Sequence, residues 1–530
     1  MKLVVALSGA VGSGKSTVAK AILSQVKGQR LSTRELIIAR TLVDSERLAL
    51  QAAGDQLDAV TDFGWISEAI DAMDGETGDE VLVIDALRRT QQLDRLRSRF
   101  PGRFRHIHLT VDAEVLKARH AVRQHDVVEP SDYTAVTANA TEANVGDLAK
   151  NADIVFDPSR LDDVSIAAVV LAGLGLMRRV VRPLVDVVVG GQYGSEGKGN
   201  ICSYLAEDYA VLMRVGGPNA GHKVKDPDFD FVHLPSGALH NPAARLLIGP
   251  GATLSLGKVL EEIERIGVLP SRLSIDPQAI VIDPNDVAIE EGSLEVIGST
   301  KKGVGVATAR KILNRGNEPV LGVPVRLARD EPKLAAFVRP TWIELETAYA
   351  AKERVMLEGT QGTDLSIHHG MWPHVTSRET TASGCMADAG VPHDRVDKVI
   401  MVVRTYPIRV GGKSGYMGRE IGAEVIAARS GLDEAEIRAT EVGTISGKPR
   451  RIAEFDLGQV RRAAALNGAT EIALTFADYL SKANRDAATI DELGGETRSL
   501  IRQIEEVTGI PVTLISSGGH RNDMIEKAEK

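Results

Sequence analysis

Two segments of this chain combine closely spaced glycines with a lysine, the residue types that surround and neutralise phosphate. The first is Gly9–Ser16, which reads GAVGSGKS and matches the full P-loop pattern. In that pattern backbone N–H groups close around phosphate, the lysine neutralises its outer oxygens and the next hydroxyl ligates Mg²⁺. We therefore predict a nucleoside triphosphate site with Ser16 as a metal ligand. Its residues are Gly9, Gly12, Gly14, Lys15, Ser16 and Thr17.

Three polar residues further along could serve the same phosphate site. Asp85 ends an apolar, strand-like run and could hold Mg²⁺ through water, or it could be an ordinary surface acid. Arg119 and Arg123 stand four residues apart on one predicted helical face. They could close over the phosphates as a lid or form a solvated basic face. The sequence leaves both pairs of alternatives open.

The second segment is Val189–Gly199, which reads VGGQYGSEGKG. Its glycine spacing is not that of a P-loop, and neither Ser nor Thr follows Lys198. The physical ingredients are nevertheless the same: freely turning glycines, a lysine and a predicted helix N-terminus. A further glycine-rich turn, Gly216–Gly221, leads into His222, whose imidazole is suited to proton or charge chemistry. This second region is therefore a further predicted phosphate site.

The elements that must position these residues alternate between strand-like and helix-like patterns, which is typical of a parallel sheet covered by helices. The helical patterns include Lys15–Gln25 and Ala113–Arg123 in the first part of the chain. The strand-like runs are Leu3–Ser8, Val81–Ile84, His106–Val111, Ala152–Phe156, Val185–Val189, Leu246–Ile248, Val355–Leu357, Val399–Val403, Ile472–Thr475 and Val512–Ile515. The predicted fold class is α/β, with two α/β domains in tandem.

The domain boundaries are predicted from a charged, proline-containing stretch, Arg178–Pro183, which has no clear period. We expect a P-loop NTPase domain with a parallel sheet at 1–177, a linker at 178–184 and a second α/β domain at 185–530. A chain of 530 residues is too long for one ordinary core, so two domains agree with its length.

The composition narrows the class of protein. The net charge is −9, which gives no global basic field for nucleic acid or an anionic membrane. The apolar stretch Ile166–Leu176 is too short to span a bilayer. Cys202 and Cys385 are the only cysteines and form no disulfide or metal-binding pattern. We expect a cytoplasmic protein without nucleic-acid or membrane partners.

A series of motifs follows the second glycine-rich loop in order along the chain. They are Gly190–Gly199, Asn219–His222, Leu234–Gly237, Ile248–Gly251, Ile297–Gly305, Leu357–Thr363, Trp372–Ser377, Gly443–Arg451 and Ile515–Gly518. In these motifs residues 185–530 resemble the adenylosuccinate synthetase family, and the shortness of the region resembles its compact archaeal-type members. The resemblance implies a ligase that phosphorylates O6 of a purine nucleoside monophosphate from GTP or ATP. The amine of L-aspartate then displaces the phosphate, which leaves an N6-succinyl purine nucleotide.

The resemblance also implies roles for individual residues, with Mg²⁺ as cofactor. The implied catalytic groups are His222, Ser195, Lys198 and Gln361, and the implied metal ligands are Ser195 and the Gly221 carbonyl. The implied nucleotide-binding residues are Gly194, Glu196, Gly197, Lys198, Gly199, Asp478, Ser516 and Gly518. The purine monophosphate would bind Asn219, Thr300, Lys302, Gln361, Thr376 and, in a homodimer that shares its active site across subunits, Arg315. The aspartate would bind Thr444, Ser446, Lys448 and Arg450.

Ser195 departs from the pattern of the family, which has an aspartate at this position that takes the purine N1 proton and binds Mg²⁺. A serine hydroxyl can ligate Mg²⁺ but is no base by itself at neutral pH. The same change resembles the phage branch that makes 2-aminoadenylosuccinate from dGMP, and a smaller uncharged residue would help to accommodate a 2-amino group. Both IMP and dGMP therefore stand as acceptors.

Two further departures concern the donor base and the aspartate loop. Phe476 replaces a lysine that packs on guanine, although Asp478 can still accept from the guanine N1–H and N2–H₂. ATP or dATP therefore stands beside GTP as the phosphoryl donor. In the aspartate loop Pro449 removes an N–H donor, and Ile445 and Lys448 replace the usual residues.

The first domain has a resemblance of its own. Gly9–Ser16, Arg119 with Arg123, and Ala152–Val155 resemble the group of small-molecule kinases that includes nucleoside monophosphate and dephospho-CoA kinases. Only the P-loop is a specific signal, so the substrate of this domain stays open. A hypothesis from another class is a nucleotide-sensing regulatory protein in which both phosphate sites bind and neither turns over.

Overall fold

The computed structural model describes residues 3–43, 47–73, 80–122, 144–176, 182–293, 297–316, 319, 321–443, 447 and 449–527. The chain divides into two compact units, Met1–Val180 and Val181–Lys530. Arg123, Thr444, Ile445, Ser446 and Lys448 lie outside the described residues. None of the helices within the described residues combines the length and the apolar character that a membrane-spanning helix needs.

Unit 1 is built on a five-stranded parallel sheet in the order β2-β3-β1-β4-β5. Its strands are β1 (Leu3–Gly9), β2 (Gly28–Leu31), β3 (Val81–Ile84), β4 (Phe104–Leu109) and β5 (Ile154–Phe156). Its α-helices are α1 (Lys15–Gln25), α2 (Thr33–Thr41), α3 (Arg47–Thr61), α4 (Trp65–Met73), α5 (Thr90–Arg99), α6 (Ala113–Val122) and α7 (Asp163–Gly173).

Strand β1 lies in the middle of this sheet and is buried on both faces. Leu3, Val5 and Leu7 pack on one side with residues of α1 and α7, whereas Val4 and Ala6 pack on the other with residues of α4. Such double burial is typical of parallel strands that are covered by helices. The strand therefore delivers the P-loop from a rigid central position.

Unit 2 is built on a nine-stranded sheet in the order β12-β10-β7-β14-β6-β15-β19-β20-β21. All neighbouring pairs are parallel except β20 and β21, which are antiparallel. These strands are β6 (Val185–Gly190), β7 (Val211–Arg214), β10 (Arg245–Ile248), β12 (Leu273–Ile275), β14 (Val355–Glu358), β15 (Val396–Arg404), β19 (Glu471–Thr475), β20 (Val512–Ser516) and β21 (Met524–Glu526).

Shorter strands form three small sheets beside the large one. They are β8 (His222–Val224) with β9 (Phe229–Phe231), β11 (Thr253–Leu254) with β13 (Ile280–Val281), and β16 (Ile408–Arg409) and β17 (Glu420–Ile421) on either side of β18 (Arg451–Ala453).

The α-helices of unit 2 cover the sheets and carry the loops of the site. They are α8 (Lys198–Leu205), α9 (Leu256–Ile266), α10 (Pro284–Ser293), α11 (Val304–Leu313), α12 (Thr341–Ala351), α13 (Ala382–Ala389), α14 (Ala423–Ser430), α15 (Glu434–Thr440), α16 (Leu457–Asn467) and α17 (Gly495–Thr508).

The core of unit 2 occupies both faces of the large sheet. On β6, Val185, Val187 and Val189 belong to one buried cluster, and Val188 belongs to the cluster on the opposite face. Because strand side chains alternate between faces, such a strand must be apolar at nearly every position. This double burial holds the end of β6, and the loop that follows it, at the centre of the sheet.

Candidate active site

The loop Gly190–Gly199 leaves the end of β6 and leads into α8. Gly197 caps this helix with φ +90°, and Gly194 has φ +101°. Glycine adopts this left-handed region at no steric cost, whereas other residues are strained there. The resulting turn directs backbone groups and the helix N-terminus towards one point, which is the local structure that binds phosphate.

Glu196 organises this loop from within. Its Oε1 accepts hydrogen bonds from the backbone N of Gln192 at 3.0 Å and of Gly194 at 2.7 Å. Its Oε2 accepts from Lys198 Nζ at 2.6 Å, and both side chains are only 1% exposed. Since a buried charge needs a partner, the pair fixes Lys198 at the start of α8.

Two glycines allow the loop after β6 to pack directly on the loop after β14. A Cβ atom at Gly190 would lie 2.5 Å from the Gln361 carbonyl oxygen, and one at Gly362 would lie 2.5 Å from the Gln192 carbonyl oxygen. Neither position can carry a larger residue without a shift of backbone. The loop Gly190–Gly199, called the phosphate loop below after its predicted role, therefore forms one continuous wall with Gln361.

A cavity of about 700 Å³ lies beside this wall and is lined by the loops that follow β6, β7 and β14. Ligand sites of open α/β sheets occur at this carboxyl edge of the strands. The predicted site residues that line the cavity are Gly194, Ser195, Asn219, Gly221, Thr300, Gln361, Thr376 and Arg450. The structure thus brings together residues that are up to 256 positions apart in sequence, from Gly194 to Arg450.

Three polar side chains form a hydrogen-bonded group in the cavity wall. Thr376 Oγ1 accepts from Gln361 Nε2 at 3.0 Å and from Asn219 Nδ2 at 3.3 Å. Gln361 has φ +61°, a strained conformation that directs its side chain here. Asn219 Oδ1 is buried without a hydrogen-bond partner among the described residues. An acceptor of this kind suits an N–H or O–H donor on a ligand.

His222 is 5% exposed and belongs to a buried cluster around Glu358. Glu358 Oε1 lies 2.5 Å from His222 Nδ1 and accepts from Arg214 Nη1 at 2.8 Å. It also accepts from the Ser236 hydroxyl at 2.5 Å, while Oε2 accepts from the Ser236 backbone N at 2.7 Å. His222 Nε2 is buried and has no hydrogen-bond partner among the described residues.

The charges of this cluster follow from burial and from Arg214. Burial, assisted by Arg214, lowers the pKa of His222 to about 4 despite the nearby carboxylate. Burial would raise the pKa of Glu358, but Arg214 and the hydrogen bonds from His222 and Ser236 outweigh it and hold that pKa at about 2. At neutral pH the imidazole is therefore neutral and donates its Nδ1–H to an ionised Glu358. The Nε2 lone pair is then available to a ligand.

Arg404 is a functional candidate that the sequence analysis missed. It is 1% exposed at the end of β15 and donates from Nη1 to the Ser195 carbonyl at 3.2 Å and from Nη2 to Glu441 Oε1 at 2.6 Å. Its guanidinium lies 3.8 Å from the centroid of the Phe476 ring. Glu441 Oε2 in turn lies 3.6 Å from Arg450 Nη1. The sequence does show an arginine at the end of an apolar strand, which could have marked it as a candidate. Its partners are distant in sequence, however, so its contacts could not be predicted.

Arg409 was also missed, and it lines the cavity. Its guanidinium stands 4.9 Å from the Tyr193 ring centroid, and it donates to the carbonyls of Tyr416 and His374. By contrast, Lys302 and Arg315 are exposed and are not among the described residues that line the cavity. Arg315 Nε donates to the Ile312 carbonyl at 2.8 Å.

A second, smaller pocket in unit 2 contains Phe476, Asp478 and Gly518 in its lining. Asp478 is 4% exposed, and burial raises the pKa of its carboxyl although Arg485 opposes the effect. Ser516, predicted for the same site, donates to the Gly518 carbonyl at 2.8 Å. The structure therefore groups the three predicted residues Asp478, Ser516 and Gly518 near one another.

The predicted metal ligands of unit 2 are oxygen atoms at the cavity wall. Ser195 and Gly221 both line the cavity, and among the described residues no cluster of three or more His, Cys, Asp or Glu could hold a metal by itself. A hydroxyl and a carbonyl fit Mg²⁺, which prefers oxygen ligands, keeps several waters and binds substrate phosphates. They would not form a structural site for zinc, which favours Cys and His.

The P-loop of unit 1 joins β1 to α1. Gly14 caps α1 with φ +94°, and Gly9 and Gly12 also have positive φ. Lys15 Nζ donates to the carbonyls of Gly9 at 2.7 Å and Ala10 at 2.9 Å. Ser16 and Thr17 are exposed on the first turn of α1.

Two of the three residues predicted to assist this P-loop are described. Arg119 Nη1 donates to the Gly12 carbonyl at 3.2 Å, so this arginine does reach the loop. Asp85 accepts from Arg30 Nη2 at 2.8 Å and from the backbone N of Thr33 at 3.0 Å. Asp85 is therefore a buried, paired carboxylate rather than a free surface acid, and its role towards Mg²⁺ stays a prediction.

Comparison with known proteins identifies relatives of both units. A family model described as adenylosuccinate synthetase matches residues 187–319 and 325–485, and one described as AAA domain matches residues 4–147. The adenylosuccinate synthetase of Methanocaldococcus jannaschii is 35% identical over 361 residues, which are 66% of this chain and 99% of the relative. That of Thermococcus onnurineus is 34% identical over 353 residues, which are 65% and 98% of the two chains.

Two solved structures are similar to unit 2. The fully ligated adenylosuccinate synthetase of Plasmodium falciparum has a TM-score of 0.58 and 23% identity, covers 65% of this chain and is itself covered completely, which shows a shared fold. The succinoaminodeoxyadenylate synthetase of cyanophage S-2L, bound to dGMP and to dATP as an energy donor, has a TM-score of 0.54 and 28% identity, with 66% of this chain and 96% of that chain covered.

These matches confirm the predicted fold class, in which a P-loop NTPase domain with a parallel sheet precedes the second α/β domain. They also confirm the resemblance on which the sequence analysis relied, because the matched residues contain the phosphate loop, His222, Gln361 and Asp478. The chain therefore belongs to the adenylosuccinate synthetase family, and it is a ligase that forms carbon–nitrogen bonds.

Proposed function

We propose that unit 2 joins L-aspartate to C6 of a 6-oxopurine nucleoside monophosphate after the γ-phosphoryl group of a nucleoside triphosphate has been transferred to O6. The observation that carries this proposal is the cavity of about 700 Å³, whose wall combines the phosphate loop at Ser195, the polar group around Thr376 and the arginine Arg450. The groups expected to recognise phosphate, purine and carboxylate thus line one cavity.

The phosphoryl group would be handled by Lys198 and His222. Lys198 stands at the N-terminus of α8, where its charge and the helix dipole both favour phosphate oxygens. His222 is neutral in the cluster around Glu358, and a nearby phosphate anion favours the protonated imidazole. The side chain would therefore gain a proton as the charged group arrives and stabilise the transferring phosphoryl through Nε2.

Ser195 Oγ and the Gly221 carbonyl would hold Mg²⁺ at the cavity wall. When bound, the ion neutralises charge on the phosphate oxygens during transfer. Arg450 would receive a carboxylate of L-aspartate, because a guanidinium offers a planar pair of donors. The predicted roles of Thr444, Ser446 and Lys448 in the same loop stay predictions.

We propose dGMP as the acceptor, on the basis of Ser195. The position lines the cavity and carries a neutral hydroxyl, and the neighbouring Glu196 already binds two backbone N–H groups and Lys198. A hydroxyl at this point leaves more room than a carboxylate and can accept from a 2-amino group. The cyanophage protein with 28% identity, solved with dGMP, is consistent with this choice.

IMP is the second candidate acceptor. The archaeal adenylosuccinate synthetases, at 34–35% identity, are closer in sequence than the phage protein and match over nearly their whole length. With IMP as substrate, Ser195 would be a neutral replacement that slows removal of the N1 proton without changing the acceptor.

A direct assay separates the two acceptors. The full chain is incubated with L-aspartate, Mg²⁺ and a triphosphate donor, and aspartate-dependent phosphate release is measured with dGMP or IMP. We expect dGMP to give the higher kcat/KM and Ser195→Asp to move the preference towards IMP. Phosphate release that requires IMP and is unaffected by this substitution would reject dGMP. No aspartate-dependent release with either acceptor would contradict the ligase assignment and favour a nucleotide-sensing role.

Two further proposals concern the assembly of the protein and the role of unit 1. We propose a homodimer in which the exposed Arg315 reaches the active site of the partner subunit. Sedimentation of the wild type tests the dimer, and a comparison of KM for the monophosphate between the wild type and Arg315→Ala tests the role of the arginine.

We also propose that unit 1 is a small-molecule kinase, supported by the contacts of Lys15 and Arg119 at the P-loop. Loss of phosphoryl transfer to nucleoside monophosphates in Lys15→Ala would support that role.

A further inference from the structure

The pocket that contains Asp478 lies close to the start of α8, the helix that follows the phosphate loop. Phe476, in this pocket, approaches the start of α8, because a Cβ on Gly197 would lie 3.6 Å from its ring. Gly519, also in the pocket, accepts a hydrogen bond from Asn200 of α8 at 3.1 Å. A nucleotide whose phosphates bind the loop can therefore reach this pocket with its base.

The lining of the pocket suits a flat heterocycle. The rings of Phe476 and Tyr479 both line it and meet edge to face, with centroids 5.1 Å apart. Aromatic side chains offer stacking surface to any base and do not select one by themselves. The pocket has a volume of only about 40 Å³, and the exposed side chain of Lys225 is part of its lining beside Gly519, so a base enters only if this flexible side chain moves aside. Selection between bases must therefore come from the polar groups.

Asp478 supplies those polar groups, but its two oxygens are not equivalent. Oδ2 lies 3.0 Å from both Nε and Nη2 of Arg485, whose Nη2 also contacts Glu436 Oε1 at 2.6 Å. Oδ1 is buried and has no hydrogen-bond partner among the described residues. A buried acceptor without a partner is costly, and a ligand that brings one donor removes that cost.

The two purine bases present different numbers of donors to a carboxylate. Guanine offers N1–H and N2–H₂ side by side, which need both carboxylate oxygens, whereas adenine offers the single N6 amino group beside an acceptor nitrogen. With Oδ2 occupied by Arg485, only Oδ1 is available. A bound guanine would then place one of its donors against the Arg485 guanidinium, which is itself a donor. The resulting unpaired polar groups would strongly disfavour the binding of guanine.

We propose that Arg485 is a specificity-determining residue that makes the pocket accept an adenine nucleotide and reject a guanine nucleotide as phosphoryl donor. This inference rests on the proposed ligase function and extends it to the donor. Phe476 and Asp478 form the pocket for either base. Arg485 decides how many acceptor oxygens the pocket offers.

The test compares ATP with GTP in aspartate-dependent phosphate release by the full chain, for the wild type and for Arg485→Leu. We expect the wild type to prefer ATP, and the substitution to lower the ratio of kcat/KM for ATP over GTP about tenfold, the value of roughly one hydrogen bond. Arg438→Leu is the matched control, because Arg438 is an exposed arginine paired with Glu434 and Glu424 outside the pocket.

The possible outcomes separate the role of Arg485 from the proposed ligase function. A wild type that prefers GTP, or a ratio that changes equally in Arg485→Leu and Arg438→Leu, overturns the role of Arg485 while leaving the ligase intact. No aspartate-dependent release from the wild type with either donor contradicts the proposed function instead. Should Arg485→Leu fail to fold, Arg485→Lys keeps the charge and loses the second contact to Oδ2. It must then show a smaller change of ratio in the same direction, and an unchanged ratio overturns the proposal.

Discussion

The two phosphate loops of this chain share a local structure and differ in acidic residues, because Gly9–Ser16 contains none and Gly190–Gly199 contains Glu196. In each, a glycine with φ near +90° caps the helix and a lysine follows it directly, as Gly14 and Lys15 in unit 1 and Gly197 and Lys198 in unit 2. Lys15 is half-buried and contacts carbonyl oxygens of its own loop. Lys198 is buried against the carboxylate of Glu196.

This difference teaches that the loop of unit 2 carries its own carboxylate beside its lysine, which offsets the charge of Lys198, whereas the P-loop segment contains no acidic residue. Glu196 occupies two loop N–H groups that could otherwise bind an anion. A phosphate at unit 2 would therefore draw on positive groups in addition to Lys198, namely the helix N-terminus, a protonated His222 and Mg²⁺. Four experiments test this contrast, from the largest expected effect to the smallest.

The largest effect is expected from His222→Ala. Loss of a group that stabilises the transferring phosphoryl lowers kcat of aspartate-dependent phosphate release by about 10²–10⁴-fold. The measurement is a steady-state assay beside His393→Ala, a control on an exposed histidine of the same unit. A rate within about threefold of the wild type would show that Lys198 and the loop stabilise the phosphoryl group without His222. The loop of unit 2 would then need no histidine, like the P-loop.

The next effect tests the ion pair inside the loop of unit 2 by stability. Lys198→Met leaves Glu196 buried without its cation, so we expect a loss of about 3–5 kcal/mol in the free energy of unfolding of unit 2. The double variant Glu196→Gln/Lys198→Met removes both charges, so we expect a clearly smaller loss. Scanning calorimetry measures both variants. Equal losses would contradict a buried pair in this loop, a feature for which the P-loop segment has no acidic residue.

The third effect is a pH dependence of unit 2. The pKa of His222 falls to about 4 in the folded state, so the unfolded state binds more protons and the free energy of unfolding decreases as the pH falls from about 6.5 to 4. Above pH 4.5 Glu358 stays ionised, because its folded pKa is about 2. Between pH 6.5 and 4.5 we expect His222→Asn to remove about 2 kcal/mol of this decrease. Urea unfolding at several pH values measures it, and an unchanged slope would contradict a neutral His222.

The smallest effect should be the same in both loops. Gly14→Ala and Gly197→Ala each force a Cβ into the left-handed region, at a cost of about 1 kcal/mol. Neither new Cβ would approach another atom closer than 3.5 Å, so strain is the sole cost. Gly257→Ala, in a helix with open space around it, should instead stabilise slightly. A much larger loss at Gly197 than at Gly14 would show that the loops differ in backbone as well as in charge.

Much of the fold could be predicted because most strands of the two large sheets are largely apolar. Val81–Ile84 was predicted as a strand and forms β3 with the same bounds, and Leu3–Ser8 lies within β1. Strand β2 was missed, because Gly28–Leu31 reads GQRL and is only partly buried, so periodicity gave no signal. The strand predicted at His106–Val111 is Phe104–Leu109, a shift that follows from pairing with β1 rather than from local sequence.

Residues of the site could be predicted only where they belong to a sequence motif. Ser195, Gln361 and Arg450 line one cavity as the motifs implied, although their roles stay predictions. The pairing of Glu196 with Lys198, and the contacts of Arg404 with Ser195, depend on which side chains are buried together. Arg404 and Glu441 are separated by 37 residues and meet only through tertiary packing, which no spacing rule reveals.

The bond between Arg214 and Glu358 has a consequence for how this protein reaches its active form. The two residues are direct partners in the parallel pairing of β7 with β14, so the contact exists only in one alignment of the strands. A slip by one position would turn Glu358 to the opposite face of the sheet and leave His222 without its carboxylate. Recovery of ligase turnover during refolding would therefore report strand alignment at the centre of unit 2, a stage that recovery of helix content alone does not distinguish.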